Sequence, residues 1–307
     1  MSRPAPRSID EYLKQLRATL EGEDPALIQD ALYDAEEYLR AEVASNPGKS
    51  EADVLELIAS TYGAPDEVAA AYRETEVKVK AALRTPPARP RPANPSVLSR
   101  FFGVYSDPRA YTSLFYMLLA MVMGIFYFTF VVTGLALSFG LAFLIIGLPF
   151  FLAFIGMTRV MSLAEGRLVE AITGERMPRR PVHPGPRLSF FARMGQMLKD
   201  PRTWTTIAYF VLMMPLGITY FTIAVTMFSM GLSFTALPFL KLWDLLTGHE
   251  YWTRHLHMGV DWLDNWLGYV LIGIAGVILL TTLMQLARGI GRVHGRVAKA
   301  LLVTPGA

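Results

Sequence analysis

Four side chains able to bind a metal or carry a proton stand close together in this sequence: His249, Glu250, His255 and His257. Imidazoles beside a carboxylate can hold zinc, and they change charge at about pH 6. The spacing favours neither role. His255 and His257 point to different sides of a helix, and the His-Glu-x-x-His order of metalloproteases is absent. Ordinary histidines at a membrane interface are the simplest account. No cysteine occurs in the chain, which excludes a thiolate nucleophile, a thiolate metal site and a disulfide framework. No catalytic residue, metal or cofactor is therefore expected, and the chain is not read as an enzyme.

The histidines belong to a segment, 229–266, that also holds Trp243, Trp252, Trp262 and Trp266, four of the five tryptophans. Tryptophan prefers the interface between lipid and water, so amphipathic helices capping the outer surface of a membrane bundle are expected there. Near the other end of the chain Arg288, Arg292, Arg296 and Lys299 recur at spacings of four, four and three, on one helical face. Such a stripe can hold anionic lipid headgroups or dock an acidic part of the same protein.

The elements that carry these residues follow from where charge is missing. No charged residue occurs between Arg109 and Arg159, between Arg202 and Lys241, or between Asp264 and Arg288. At roughly 20 apolar residues per crossing, the stretches hold about four transmembrane helices, predicted at 110–134, 138–158, 204–228 and 267–287. The first two are joined by a short turn near Ser138 to Gly140. None of these spans holds an ionisable residue, which argues against intramembrane proteolysis and proton-coupled transport. Gly124, Gly134, Gly147, Pro149, Pro215 and Gly217 are read as packing positions rather than hinges. Arginine and lysine flank every span on the side facing 84–109, 159–202 and 288–299, which by the positive-inside rule is cytoplasmic. Both termini are then inside, in a bacterial inner membrane. Met1 to Arg7 lacks the apolar core of a signal peptide, so the first span is expected to direct insertion.

Ahead of the membrane half, residues 8–80 carry 17 acidic side chains against 7 basic ones, within a chain whose net charge is +3. Ser8 with Glu11 reads as a capping box, Asp24-Pro25 and Ser50 with Asp53 as further helix starts, and Gly63 with Pro65 as a break between two helices. Residues 1–83 should thus form a compact set of helices, followed over 84–103 by a Pro/Arg-rich linker. The stretch Thr85 to Pro95, with five prolines, favours an extended spacer. The pattern Tyr12-Leu13-x-x-Leu16, the acidic run Asp34-Ala35-Glu36-Glu37-Tyr38-Leu39 and the ending Tyr62-Gly63-Ala64-Pro65-Asp66-Glu67-Val68-Ala69 resemble the HAAS signalling domain. The resemblance implies a cytoplasmic interaction module over residues 8–75, with a PadR-like transcriptional regulator as partner and no direct contact with nucleic acid.

The membrane half repeats itself. Asp107-Pro108-Arg109-x-Tyr111 aligns with Asp200-Pro201-Arg202-x-Trp204 at an offset of 93, and Tyr116, Gly124 and Tyr127-Phe128 match Tyr209, Gly217 and Tyr220-Phe221 in the same register. Arg159 and Gly166-Arg167 match Arg288 and Gly295-Arg296 at an offset of 129. Repeat one is placed at 104–180 and repeat two at 196–302, with the insertion 229–266 in the second copy alone. Two parallel copies would be related by an axis along the membrane normal. Asp107, Arg109, Asp200 and Arg202 are read as helix-start devices at the membrane surface. Together with Gly147-Leu148-Pro149, these motifs resemble the sensor domain at the N-terminus of certain bacterial sensor histidine kinases, over 104–302. No kinase segment follows Lys299, so autophosphorylation in cis is not expected. The fold class is all-α: a small cytoplasmic helical domain plus a polytopic helical membrane domain. The function expected is a sensor, embedded in the lipid bilayer, that relays an envelope or lipid stimulus to a cytoplasmic partner. Self-association into a homo-oligomer is left open. The alternative is a small transporter or lipid-handling protein whose paired repeats enclose a polar path.

Overall fold

The computed structural model describes residues 5–83, 96–141, 147–181, 195, 197–248 and 265–303. Among them every regular element is a helix, and four helices are long and apolar enough to cross a membrane. The all-α, polytopic class expected from the charge-free stretches is what the chain adopts.

The head consists of α1 (Ile9–Thr19), α2 (Pro25–Ser45), α3 (Glu51–Ala59) and α4 (Pro65–Leu83). Each of the first three starts on a capping side chain: the Ser8 hydroxyl accepts from the Glu11 amide, Asp24 from Ala26 and Ser50 from Asp53. The box at Ser50 is reciprocal. The one at Ser8 is half-formed, since the Glu11 carboxylate accepts from the Arg7 amide, one residue too early. One apolar core joins the four helices, with Leu16, Leu20, Ala31, Leu39, Val54 and Ala69 wholly shielded from solvent. Tyrosines tie the helices together around that core. Tyr12 donates to the Gly63 carbonyl (2.9 Å), Tyr38 stacks on Tyr62 at 4.3 Å, and Tyr72 donates to Asp34 (3.0 Å). Gly63 takes φ = 107°, a left-handed turn that a side chain would strain.

Of the linker, residues 84–95 lie outside the described ones. The expected extended spacer, Thr85 to Pro95, lies there too; from Ser96 onward the chain is helical, as α5 (Val97–Phe102) capped by the Ser96 hydroxyl, then a 3₁₀ turn over Gly103–Ser106.

The membrane helices are α6 (Pro108–Gly140), α7 (Gly147–Thr173), α8 (Pro201–Thr247) and α9 (Trp266–Leu302). The helices outrun the predicted spans, α7 to Thr173 and α9 to Leu302, and two further differences change the reading. Ser138 to Gly140 is the last stretch of α6, not the turn. The Ser138 hydroxyl bonds back to the Gly134 carbonyl at 2.6 Å, so a small polar residue is satisfied inside the helix and does not break it. The second difference is larger. Residues 229–247, expected to begin a surface cap, continue α8 instead. The run reaches Leu240 without a charged residue, Thr235 bonds back to the Gly231 carbonyl inside the helix, and the helix ends only at Gly248, with φ = 68°. At 47 residues α8 is about 70 Å long, more than twice the roughly 30 Å apolar core of a bilayer.

The chain divides into two compact units. The first contains the head, 130–210 and the end of α9 from Gly295. The second contains 86–129 and 211–294. Within the second, helices meet at small residues. A Cβ on Gly124 would lie 2.4 Å from the Met213 carbonyl oxygen, and one on Gly217 would lie 2.3 Å from that of Ala120. Only glycine permits α6 and α8 to touch backbone to backbone there. Gly276 likewise admits Thr235 of α8 against α9.

Candidate functional site

The helix-start motifs have the geometry their residues suggest, plus a partner that local sequence does not reveal. In the second unit one oxygen of Asp107 accepts the Arg109 amide (3.0 Å) while the other faces Arg288 Nη1 (3.4 Å). In the first unit Asp200 accepts the Arg202 amide (3.0 Å) and faces Arg159 Nη2 (3.0 Å). Each carboxylate thus caps its own helix and fixes an arginine on a distant one. Tyr111 donates its hydroxyl to the Tyr105 carbonyl, and Trp204 donates its indole N–H to that of Leu198. Every residue on α8 in these pairs stands 93 positions after its counterpart on α6, and Arg288 stands 129 after Arg159.

Two buried tyrosines follow the same rule. Tyr209 donates to Glu165 at 2.9 Å in the first unit, and Tyr116 meets His294 Nε2 at 2.7 Å in the second. Glu165 and His294 are also 129 apart, and both are fully buried. The sequence reading paired the tyrosines with each other but missed their partners. Glu165 and His294 immediately precede the matched Gly166-Arg167 and Gly295-Arg296, which was the available signal, but their different chemistry hides the correspondence.

One comparison bears on the arrangement. The family described as "Putative sensor" matches residues 116–302, more than half of the chain. The chain belongs to this sensor family. The match begins at Tyr116 and ends at Leu302, so it takes in both buried tyrosine pairs, α6 from Tyr116 onward and the other three membrane helices. No curated protein and no solved structure is similar enough to match.

Where the sensor meets the head, the first unit contains a charge cluster that sequence reasoning did not find. Arg176 follows α7 in the basic stretch taken as a positive-inside signal, yet it is 8% exposed. Its guanidinium reaches Asp30 of α2 (2.8 Å), Glu76 of α4 (3.3 Å) and Glu170 of α7 (3.5 Å), and it also bonds the Met177 carbonyl. The adjoining backbone joins in. The amides of Arg179 and Arg180 both donate to Asp30 Oδ1 at 2.8 Å, and that of Met177 donates to Glu170 at 2.8 Å. Arg180 pairs with Asp34 (2.7 Å) and Arg179 with Glu170 (2.9 Å). Burial works against a charged Arg176, but the Asp30 bond and the charges of Asp30, Glu76 and Glu170 outweigh it and raise its pKa above the ordinary arginine value. Acidic residues that a helical surface would normally leave in water are thus committed to one arginine.

The stripe after the last span divides by role. Lys299 binds Asp24 of the head (2.7 Å) and Glu175 (3.1 Å), whereas Arg288 is occupied by Asp107 and Gln285. Arg292 and Arg296 are exposed. Of the interface tryptophans, Trp243 sits on α8 and Trp266 opens α9. Trp252 and Trp262, with His249, Glu250, His255 and His257, lie outside the described residues. Among the described residues no cluster of three metal-ligating side chains occurs.

Proposed function

We propose that this sensor passes a stimulus received by its membrane helices to a cytoplasmic partner bound by the head, across the joint at Arg176. The observation that carries the reading is the fixing of α2 and α4 to the stretch that directly follows α7. A shift of α7 along or about its axis would pull on Glu170 and residues 174–181, and through Asp30 and Glu76 on the head. The likeness of the head to HAAS domains supports a protein partner, with a PadR-like regulator as the candidate. The matching pairs at offsets of 93 and 129 support a membrane half built from two parallel copies, with both termini on the cytoplasmic side of the inner membrane. A transport path between copies draws less support, because α6 and α8 press backbone to backbone at Gly124 and Gly217.

Affinity capture from cells producing the whole chain, or the chain without residues 1–85, tests the relay. Cytoplasmic partners should be lost with the head. Retention of the same partners by the shortened chain would refute the reading.

A further inference from the structure

The first unit contains a small pocket between α7 and the opening turns of α8, of about 80 Å³, with Gln29 of the head at its rim. Its walls present two guanidiniums, Arg159 and Arg202, and the side chains of Thr158, Ser162 and Thr206. A water-sized occupant takes roughly 10–15 Å³ by such a measure, so the space suits a group of five or so heavy atoms. An arginine has five N–H donors. One nitrogen of Arg159 goes to Asp200 and one of Arg202 to the Leu302 carbonyl, so both side chains are held in place with donors to spare. Among the described residues the two cations face one carboxylate, Asp200.

The second unit supplies a control within the same chain. Shifted by 129, Thr158 and Ser162 become Ala287 and Gly291, and shifted back by 93, Thr203 and Thr206 become Ala110 and Ser113. Three of these four hydroxyls give way to residues without one, Ser113 alone keeps its own, and Gly291 closes against it. A Cβ on Gly291 would lie 2.3 Å from the Ser113 hydroxyl oxygen, and Ala110 packs with Val104 and Met284 in an apolar cluster. The arginines recur in the second unit as Arg109 and Arg288, whereas among the described residues the polar pocket lies beside Arg159 and Arg202.

We propose that this pocket binds a phosphate-class anion, carried on a lipid headgroup or free in the cytoplasm, and that it is the ligand site of the first repeat. Guanidinium forks with adjacent hydroxyls are suited to tetrahedral oxyanions. Arg159 is the first charge after the apolar run of α6 and α7, and Arg202 is the last before that of α8, which sets both at the headgroup level. Because Gln29 of α2 lines the rim and donates to the Arg180 carbonyl, an occupant would touch the element that Arg176 fastens. The inference rests on the membrane half being the receiving part, but its test needs no cytoplasmic partner. Failure of partner capture would leave it standing, and the reverse is also true.

The whole chain is reconstituted in phosphatidylcholine vesicles with and without phosphatidylglycerol, and the lipid retained on extraction is measured by native mass spectrometry. In parallel, the protein in neutral detergent is titrated with inorganic phosphate and its melting followed. Preferential retention of phosphatidylglycerol, weakened about tenfold by Ser162→Ala with Thr206→Val and more by Arg159→Gln, supports a headgroup ligand. Stabilisation by inorganic phosphate with the same residue dependence, and no lipid preference, supports the free anion. Lys14→Gln, on the exposed face of α1 in the head, should change neither. Binding that is absent, or that falls equally in the Lys14 variant and the pocket variants, overturns the proposal.

Discussion

Replacing Arg176 by Met should detach the head from the end of α7 without unfolding it. The guanidinium is the common partner of Asp30, Glu76 and Glu170, all within 3.5 Å, and the side chain is 8% exposed. Removing one partner of a buried ion pair costs about 3–5 kcal/mol, because the charges left behind lose their compensation without regaining water. The head can escape that penalty. Asp30 and Glu76 return to solvent if α2 and α4 lift away, and the buried core of the head is built from its own residues Ile9 to Ala69, with Tyr72 packed against it. The cost therefore falls on the docking equilibrium, which shifts by roughly two to three and a half powers of ten at 1.4 kcal/mol each.

Hydrogen exchange on the whole chain in detergent reads this directly. The amides of Met177, Arg179 and Arg180 are held by Glu170 and Asp30, and their protection should fall, with Arg179 and Arg180 falling most. Protection in the middle of α1, α2 and α3 should persist. A compensated variant provides the internal check: Arg176→Met combined with Asp30→Leu and Glu76→Leu replaces the buried charges by apolar groups, an exchange that is often neutral. It should regain much of the protection at Met177. Unchanged exchange at all three amides in the single variant, or equal loss throughout the head, would refute the view of Arg176 as a joint.

Other outcomes are specific to the membrane half and to pH. Gly124→Val or Gly217→Val forces a side chain onto a facing backbone that no rotamer change can move, so each should lower stability in detergent by about 1–3 kcal/mol or more, read by thermal melting. Gly156→Ala, with open space around its Cα, should be tolerated or stabilising by up to about 1 kcal/mol. Tyr209→Phe removes a donor from the fully buried Glu165 and should cost about 1–3 kcal/mol in the same assay. In the head, burial first and the Asp34 charge second push the Tyr62 phenol up to about 12. A folded pKa above the unfolded 10.0 leaves its contribution intact below pH 10.0, so head stability should decline as pH rises from there towards about 12, followed by tyrosinate absorbance and circular dichroism.

What the sequence revealed and what it concealed differ in physical kind. Helix starts at Ser8, Asp24, Ser50, Asp107 and Asp200 were readable because a cap is a contact between residues two or three apart. The four membrane helices were readable because lipid requires long charge-free runs. The extent of α8 was not, since tryptophans and acidic residues after Leu240 suit a surface-lying helix as well as the projecting end of a long one. Arg176 was hidden for another reason. Nothing local distinguishes it from Arg179, Arg180 or any cation expected on the cytoplasmic side, and its main partner, Asp30, is 146 residues away. The repeat could have narrowed that distance for Glu165 and His294, but matching by identity discards sites where the copies have diverged. Those are the sites to inspect: Thr158 and Ser162, which line a polar pocket, align with Ala287 and Gly291, where Gly291 closes on Ser113. If the two segments are copies, the ligand proposed for the first predicts that Thr158→Ala with Ser162→Gly, the residues of the second, abolishes anion binding while the helices still pack.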